Sequence, residues 1–282
     1  MKKKTASPQQ HVLHVCVDRP ISTLNLHRQM YEAIKNNPAN NPAKKGTAEH
    51  KVVESFVENP NQQFTPDEHV VLSRMAILTD NKWKKGQTLT VAFLDGSALQ
   101  KKKTKKYARY WTMKNQANAN ITLKFVNGKI AMIRISFVAD SGSWSTVGTD
   151  CNIVPADEPT MNFGWLRYDT DDAEWERVVV HEFGHALGCI HEHQSPAKGI
   201  KWNKPAVYKY YEGPPNNWSK ADVDSNIFKK YSASITQFTT LDTTSIMMYF
   251  FPPEFTLDGF GTPENGHLSP TDIDFIRKIY SQ

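Results

Sequence analysis

The sequence predicts an α+β protein: a mixed, twisted sheet flanked by two long helices, a loop-rich second half, and a small N-terminal extension. Three observations carry this expectation. Three alternating segments rich in strand-forming residues fall within residues 88–138, where they can form one sheet. Two longer stretches have helical spacing: Leu99 to about Gln116, between the first and second of those segments, and Asp171 to Leu187, after the last. Residues 192–240 are irregular and rich in Pro, Asn and Tyr, and the chain then closes on a capped helix.

Taken in order, residues 1–20 read as extended, and Ile21 to about Asn36 as a helix. Asn36-Asn37-Pro38-Ala39-Asn40-Asn41-Pro42 is dense in helix breakers and reads as a loop. A helix starts at Thr65-Pro66-Asp67-Glu68 and runs to about Leu78. Thr65 can cap the first amides, Pro66 suits the first helical position, and Glu68 can reach back to complete the box. Thr88–Leu94 alternates as a strand. Ile121–Val126 and Ile130–Val138 follow as strands, with Asn127-Gly128 between them predicting a hairpin. Thr160–Leu166, containing Met161, Asn162, Phe163 and Gly164, reads as a short edge strand able to pair with an extended peptide. Asp171-x-x-Glu174 opens the second long helix. Some helix is expected near Pro205–Tyr211 and Ala221–Phe228. Ser269-Pro270-Thr271-Asp272 caps the terminal helix. Residues 1–80 form the extension and residues 81–282 the main domain.

Composition narrows the class. A chain of 282 residues with 39% hydrophobic residues can bury a real core. The three cysteines, Cys16, Cys151 and Cys189, cannot all pair and do not form a disulfide scaffold. No apolar run reaches 18 residues, so no membrane span is expected. Met1-Lys2-Lys3-Lys4 imitates the start of a signal peptide, but no apolar stretch or small-residue cleavage site follows. The expectation is a protein that stays in the cytosol or leaves by injection or another route without such a peptide. The net charge of +5 is modest, and Lys101, Lys102, Lys103, Lys105 and Lys106 crowd one predicted helix. These lysines read as a solvated face, since nothing beside them has the aromatic interleaving of a nucleic-acid reader. No nucleic-acid partner is expected, and the chain reads as a monomer.

The chemistry lies in one string, His181-Glu182-Phe183-Gly184-His185-Ala186-Leu187-Gly188-Cys189-Ile190-His191, which has the form H-E-x-x-H-x-x-G-x-x-H. Chance would produce it in roughly three of a hundred thousand such chains. A helix turns about 100° per residue, so His181 and His185 lie about 40° apart on one face. Two imidazole nitrogens so placed can meet one tetrahedral Zn2+. Glu182 sits beside them, within reach of a metal-bound water. His191 would point about 280° away if the helix continued. The helix must therefore end, and Gly188 can take the left-handed conformation that ends it. His191 then returns as the third ligand. Three protein ligands leave the fourth position for water, which is a catalytic rather than a structural arrangement. Glu182 is the natural general base for that water.

This extended motif resembles that of the metzincin zinc metallopeptidases. Ser245-Ile246-Met247-Met248-Tyr249 matches the Met-turn of the astacin and serralysin branches. His191-Glu192-His193 and the ending Leu268-Ser269-Pro270-Thr271-Asp272-Ile273 are astacin-like. The resemblance covers roughly residues 80 to 282 and points to compact bacterial astacin-like enzymes, although the chain shows neither the paired cysteines nor the recognisable pro-segment usual in that group. It implies a metzincin catalytic domain with the zinc at the floor of a cleft between the two halves. It implies a zinc-dependent endopeptidase with a protein or peptide substrate and one catalytic Zn2+. Met247 is then the Met-turn residue under the metal, and Tyr249 a switchable ligand and transition-state donor. Such enzymes are often held latent by a pro-segment residue on the metal, which makes Cys16 or Asp18 the candidate latency ligand.

Alternatives stay open at this stage. One is an exported, toxin-like effector protease of narrow target range. Another is a non-hydrolytic zinc-binding protein, which would have no use for Glu182. A third is a basic nucleic-acid-binding module built on the lysine helix.

Overall fold

The computed structural model describes residues 16–18, 25–139, 141–196, 199–214, 216–231 and 241–281. Its centre is a six-stranded sheet in the order β1-β5-β6-β4-β2-β3. The strands are β1 (Cys16–Asp18), β2 (Thr88–Phe93), β3 (Thr122–Phe125), β4 (Ile133–Ser136), β5 (Ser143–Ser145) and β6 (Met161–Phe163). β2 pairs in parallel with β3 and β4, and β4 with β6. β5 runs antiparallel to β6, and β1 lies parallel to β5 at the outer edge. The sheet is therefore mixed, as expected.

Two strand assignments are corrected. Asn127-Gly128 does not close a hairpin. β3 pairs with Thr88–Val91 on one side of β2, and β4 pairs with Val91–Phe93 on the other. The chain crosses β2 without reversing direction, so the turn at Gly128 (φ +94°) bends a connection and sets no register. The second correction concerns Met161, Asn162, Phe163 and Gly164, which do not form an edge. β6 is paired on both sides, and Met161, Asn162 and Phe163 are all buried. The Asn162 side chain accepts from Ser136 Oγ and Val138 N and donates to Val138 O and Gly142 O. A side chain at Gly164 would overlap the Gly142 carbonyl. An apolar run buried on both faces marks an interior strand.

The long helix α5 (Asp172–Ala186) starts where Asp171 accepts from the Glu174 amide and packs across the sheet. Val178, Val179 and Val180 are all buried, so tertiary burial outweighs the modest helix propensity of valine. α4 (Ala98–Ala108) lies beside it, shorter than the spacing suggested because the chain tightens into a 3-10 turn at Arg109–Trp111. Trp111 donates to the Val180 carbonyl and Trp83 to the Ala186 carbonyl, fixing α5 to both neighbours.

The C-terminal half has a second core, including Val207, Tyr211, Ile227, Tyr249, Phe251 and Phe255. It contains α6 (Lys204–Tyr211) and α7 (Lys220–Val223), the latter continued by a π-turn to Phe228. α8 (Pro270–Ile279) carries the predicted Ser269 cap, and Tyr280 just beyond it donates to the Leu187 carbonyl.

Residues 25–78 form a small helical unit with its own core of Met30, Ile34, Val53, Phe56, Leu72 and Met75. Its helices are α1 (Leu26–Asn36), α2 (Ala48–Glu58) and α3 (Pro66–Leu78). The Thr65–Glu68 capping box is formed as expected. α2 was not anticipated, although Val53, Phe56 and Val57 have helical spacing and Thr47 caps it. The unit is docked on the main domain. Gln29 donates to Asp150, while Asn37 and Asn40 donate to the Lys82 carbonyl. No helix among the described residues is long and apolar enough to cross a membrane.

Candidate metal centre and active site

α5 delivers His181 and His185 one turn apart, both buried. It ends where predicted, with Gly188 at φ +93°. A Cβ there would also stand 3.3 Å from the Asn81 carbonyl, so both conformation and space favour glycine. The chain then turns back and brings His191 to the same point. The three Nε2 atoms are 3.2, 3.1 and 3.1 Å apart. Ligand nitrogens 2.0–2.1 Å from a tetrahedral ion stand about 3.3 Å apart, so the triad fits a zinc ion.

The other ring nitrogens explain the orientation. His181 Nδ1 faces the Ile246 carbonyl at 2.7 Å, His185 Nδ1 the Cys189 carbonyl at 2.9 Å, and His191 Nδ1 the Gln194 side-chain oxygen at 3.3 Å. Oxygen acceptors at Nδ1 select the tautomer with its proton there, leaving Nε2 lone pairs aimed at the shared centre. Burial, reinforced by His185 and His191, holds His181 well below the ordinary histidine range. It is thus neutral, as a ligand must be.

Glu182 is fully buried beside His181. Tyr249 is also brought to the site. Its ring lies 4.2 Å from that of His191, and its hydroxyl donates to the Cys16 carbonyl. Met247 packs against α5 at Gly184. A methyl at Gly184 would overlap Met247 Sδ and meet Trp111 Cζ2 at 3.0 Å, so this variable position of the motif is glycine for packing. The turn itself closes by Met248 N to Ser245 O, and Glu192 N donates to the Met247 carbonyl.

Cys16 is buried at the site, with a ligand atom within 4.8 Å of those of His181 and Glu182. Burial first, then the Glu182 charge, pushes its thiol well above the ordinary range. The backbone of Asp18 continues β1 against Ser145, and its side chain lies outside what is described. Cys16, Cys151 and Cys189 are all free thiols. Met161, Asn162, Phe163 and Gly164 stay inside the sheet, with β5 and β1 between them and its edge.

Two supporting residues escaped the sequence reading. Asp272 was visible only as a helix cap, yet its carboxylate also accepts from Ser245 Oγ at 2.6 Å and Ile246 N at 2.8 Å. Through Ile246 it holds the carbonyl that orients His181. Gln194, adjacent to the H-E-H string, positions His191 and is itself tied to the Ser225 carbonyl. His193 joins the wall rather than the triad. Its ring packs 4.6 Å from that of Tyr249, and Nε2 faces the Asn226 carbonyl.

No family model and no curated protein matches the sequence. Among solved structures, the chain is 45% identical to myroilysin, with a TM-score of 0.69 over 72% of this chain and 96% of that one. A second myroilysin structure matches at 45% identity and a TM-score of 0.56, over 72% and 86% of the two chains. High choriolytic enzyme 1, a hatching enzyme zinc-protease from the medaka fish Oryzias latipes, is 18% identical over 71% and 94%, with a TM-score of 0.45.

Proposed function

The chain belongs to the astacin-like metzincin metallopeptidases, and we propose that it hydrolyses peptide bonds in proteins with Glu182 as general base. The observation that carries this reading is the convergence of three oriented Nε2 atoms next to a fully buried carboxylate. His181, His185 and His191 would hold the zinc ion. When bound, zinc polarises the scissile carbonyl and acidifies a water. Glu182 takes the water proton and returns it to the leaving amine, a role worth about 10²–10⁴ in rate. The Tyr249 hydroxyl, already placed to donate to a carbonyl oxygen, supports the developing oxyanion.

The substrate-binding edge in this reading is β5. A segment of the chain itself, β1, now pairs with Ser143–Ser145. A substrate strand would take that place by strand addition once β1 leaves. Cys16, on β1 and beside His181 and Glu182, acts as the latency ligand, since a thiolate is a good zinc ligand. Residues from about 81 onward carry catalysis, and the segment before them carries this restraint. The test is the Cys16→Ala chain on a fluorogenic peptide, with and without a zinc chelator. The expected result is cleavage that the chelator abolishes and added zinc restores. Cleavage indifferent to the chelator would overturn the proposal.

A further inference from the structure

Away from the histidine site, positive charge gathers on α4 and the turn that follows it. Lys101, Lys102, Lys105, Lys106 and Arg109 line one open groove of about 720 Å³. The whole chain has 34 Lys and Arg against 29 Asp and Glu, a net charge of +5. The groove therefore holds as many positive charges as the chain has in excess. Among the described residues, only Lys106 of these five has an acidic partner, Asp172 at 3.6 Å, and Asp172 pairs more closely with Lys103 at 2.9 Å. The opposite face of α4, with Gln100, Thr104, Tyr107 and Ala108, is buried. The groove thus faces outward and shares no residue with the histidine site.

We infer that this groove is an exosite for an extended, acidic stretch of a protein substrate. Lys101, Lys105 and Arg109 succeed one another along the helix by about 6 Å each. Alternate residues of an extended peptide, which point the same way, are spaced by about 6.6 Å. Carboxylates at every second position therefore match the row. The cations are also held in place: Lys101 lies over the Phe93 ring, and Lys105 over both Phe93 and Phe125, at 5.6–6.0 Å. Met113 and Tyr110 add apolar lining that suits peptide side chains. A nucleic acid is the poorer fit. Its bases need open aromatic faces, but Phe93 and Phe125 are covered by lysines, and Tyr110 packs edge-on against Tyr107. Each exposed ion pair is weak, so binding needs several at once and falls with salt. The consequence for substrate choice rests on the peptidase reading, whereas the binding itself does not.

Binding is measured by fluorescence anisotropy on the full chain carrying Glu182→Ala, so that the probe survives. The probe is a labelled peptide alternating Glu with Ala. The comparisons are the same peptide with Gln for Glu, and a single-stranded oligothymidylate. The acidic peptide is expected to bind, to weaken with added salt, and to exceed both comparisons. Lys101→Ala/Lys105→Ala/Arg109→Ala should weaken it about tenfold, while Lys101→Arg/Lys105→Arg should not. No binding, binding unchanged by the triple alanine variant, or tighter binding of the oligonucleotide overturns the exosite. A second arm uses two cleavable substrates that differ only in a remote acidic tail. In the Cys16→Ala background, the triple alanine variant should raise KM for the tailed substrate alone. Equal KM effects on both substrates would contradict the role in recruitment. Absence of cleavage would count against the peptidase reading and leave the anisotropy result standing.

Discussion

Each site histidine uses both ring nitrogens, one toward the shared centre and one toward a fixed oxygen. The convergence on the shared centre follows from residue types at fixed spacing, which is why the triad and Glu182 were legible in the sequence, while the Ile246 and Gln194 oxygens were not. Tyr249 was legible only through resemblance, because an isolated tyrosine in an apolar run reads as core. Its hydroxyl now gives a sharp test. Tyr249→Phe removes one donor and should lower kcat by about 10²–10³ with little change in KM. A change confined to KM would place the hydroxyl in substrate binding instead. Gly184 makes a second residue-scale claim. Alanine would gain about 1 kcal/mol of helix propensity there, yet must overlap Met247 and Trp111. Overpacking of this kind costs typically about 1–3 kcal/mol. Gly184→Ala should therefore lower stability in urea unfolding, and a gain would show that the Met247 contact is loose.

At the scale of elements, helices were predicted better than strand neighbours. A helix is decided by residues three or four apart, and the boxes at Thr65 and Ser269 fixed two starts correctly. Parallel pairing is decided by partners far away in sequence. Asn127-Gly128 carried a hairpin signal, but β2 lies between β3 and β4. Met161–Gly164 looked like an edge because the strand is short, and the partner that buries it, β5, is only three residues long. The same distance effect hid the second role of Asp272, which joins α8 to the turn at Ser245–Met248. Asp272→Ala leaves Ser245 Oγ and the amides of Ile246 and Ser269 without that carboxylate. The expected loss is about 2–4 kcal/mol of stability, with zinc affinity down about tenfold through the loosened His181 anchor. Chelator competition measures the second effect, and an unchanged affinity would detach Asp272 from the site.

The described residues bring together a helical unit, an edge strand and the histidine site. The sequence suggested an extension ahead of about residue 80, but not that it would dock through Asn37, Asn40 and Gln29, whose partners are distant backbone and a buried carboxyl. That carboxyl, Asp150, is pushed up to about 7 by burial, with Gln29 opposing. An acid whose folded pKa is raised is favoured when protonated. Its contribution is present at low pH and is lost as pH rises from the ordinary carboxyl range through about 7. Asp150→Asn should therefore flatten the fall in thermal stability between about pH 4 and 7, and an unaltered pH profile would show that Asp150 is solvated. The latency reading operates at the same scale. An intramolecular ligand competes at high effective concentration, so Cys16→Ala should be at least about tenfold more active than the unmodified full chain. Equal activity would remove Cys16 from regulation. The central claim is that three histidines hold zinc while Glu182 moves the proton. It is tested most directly by comparing Cys16→Ala with Cys16→Ala/Glu182→Ala for zinc content and peptide cleavage on the same preparations. The account predicts equal zinc in both and a loss of cleavage of about 10²-fold or more in the second. Comparable cleavage at equal zinc content would contradict it.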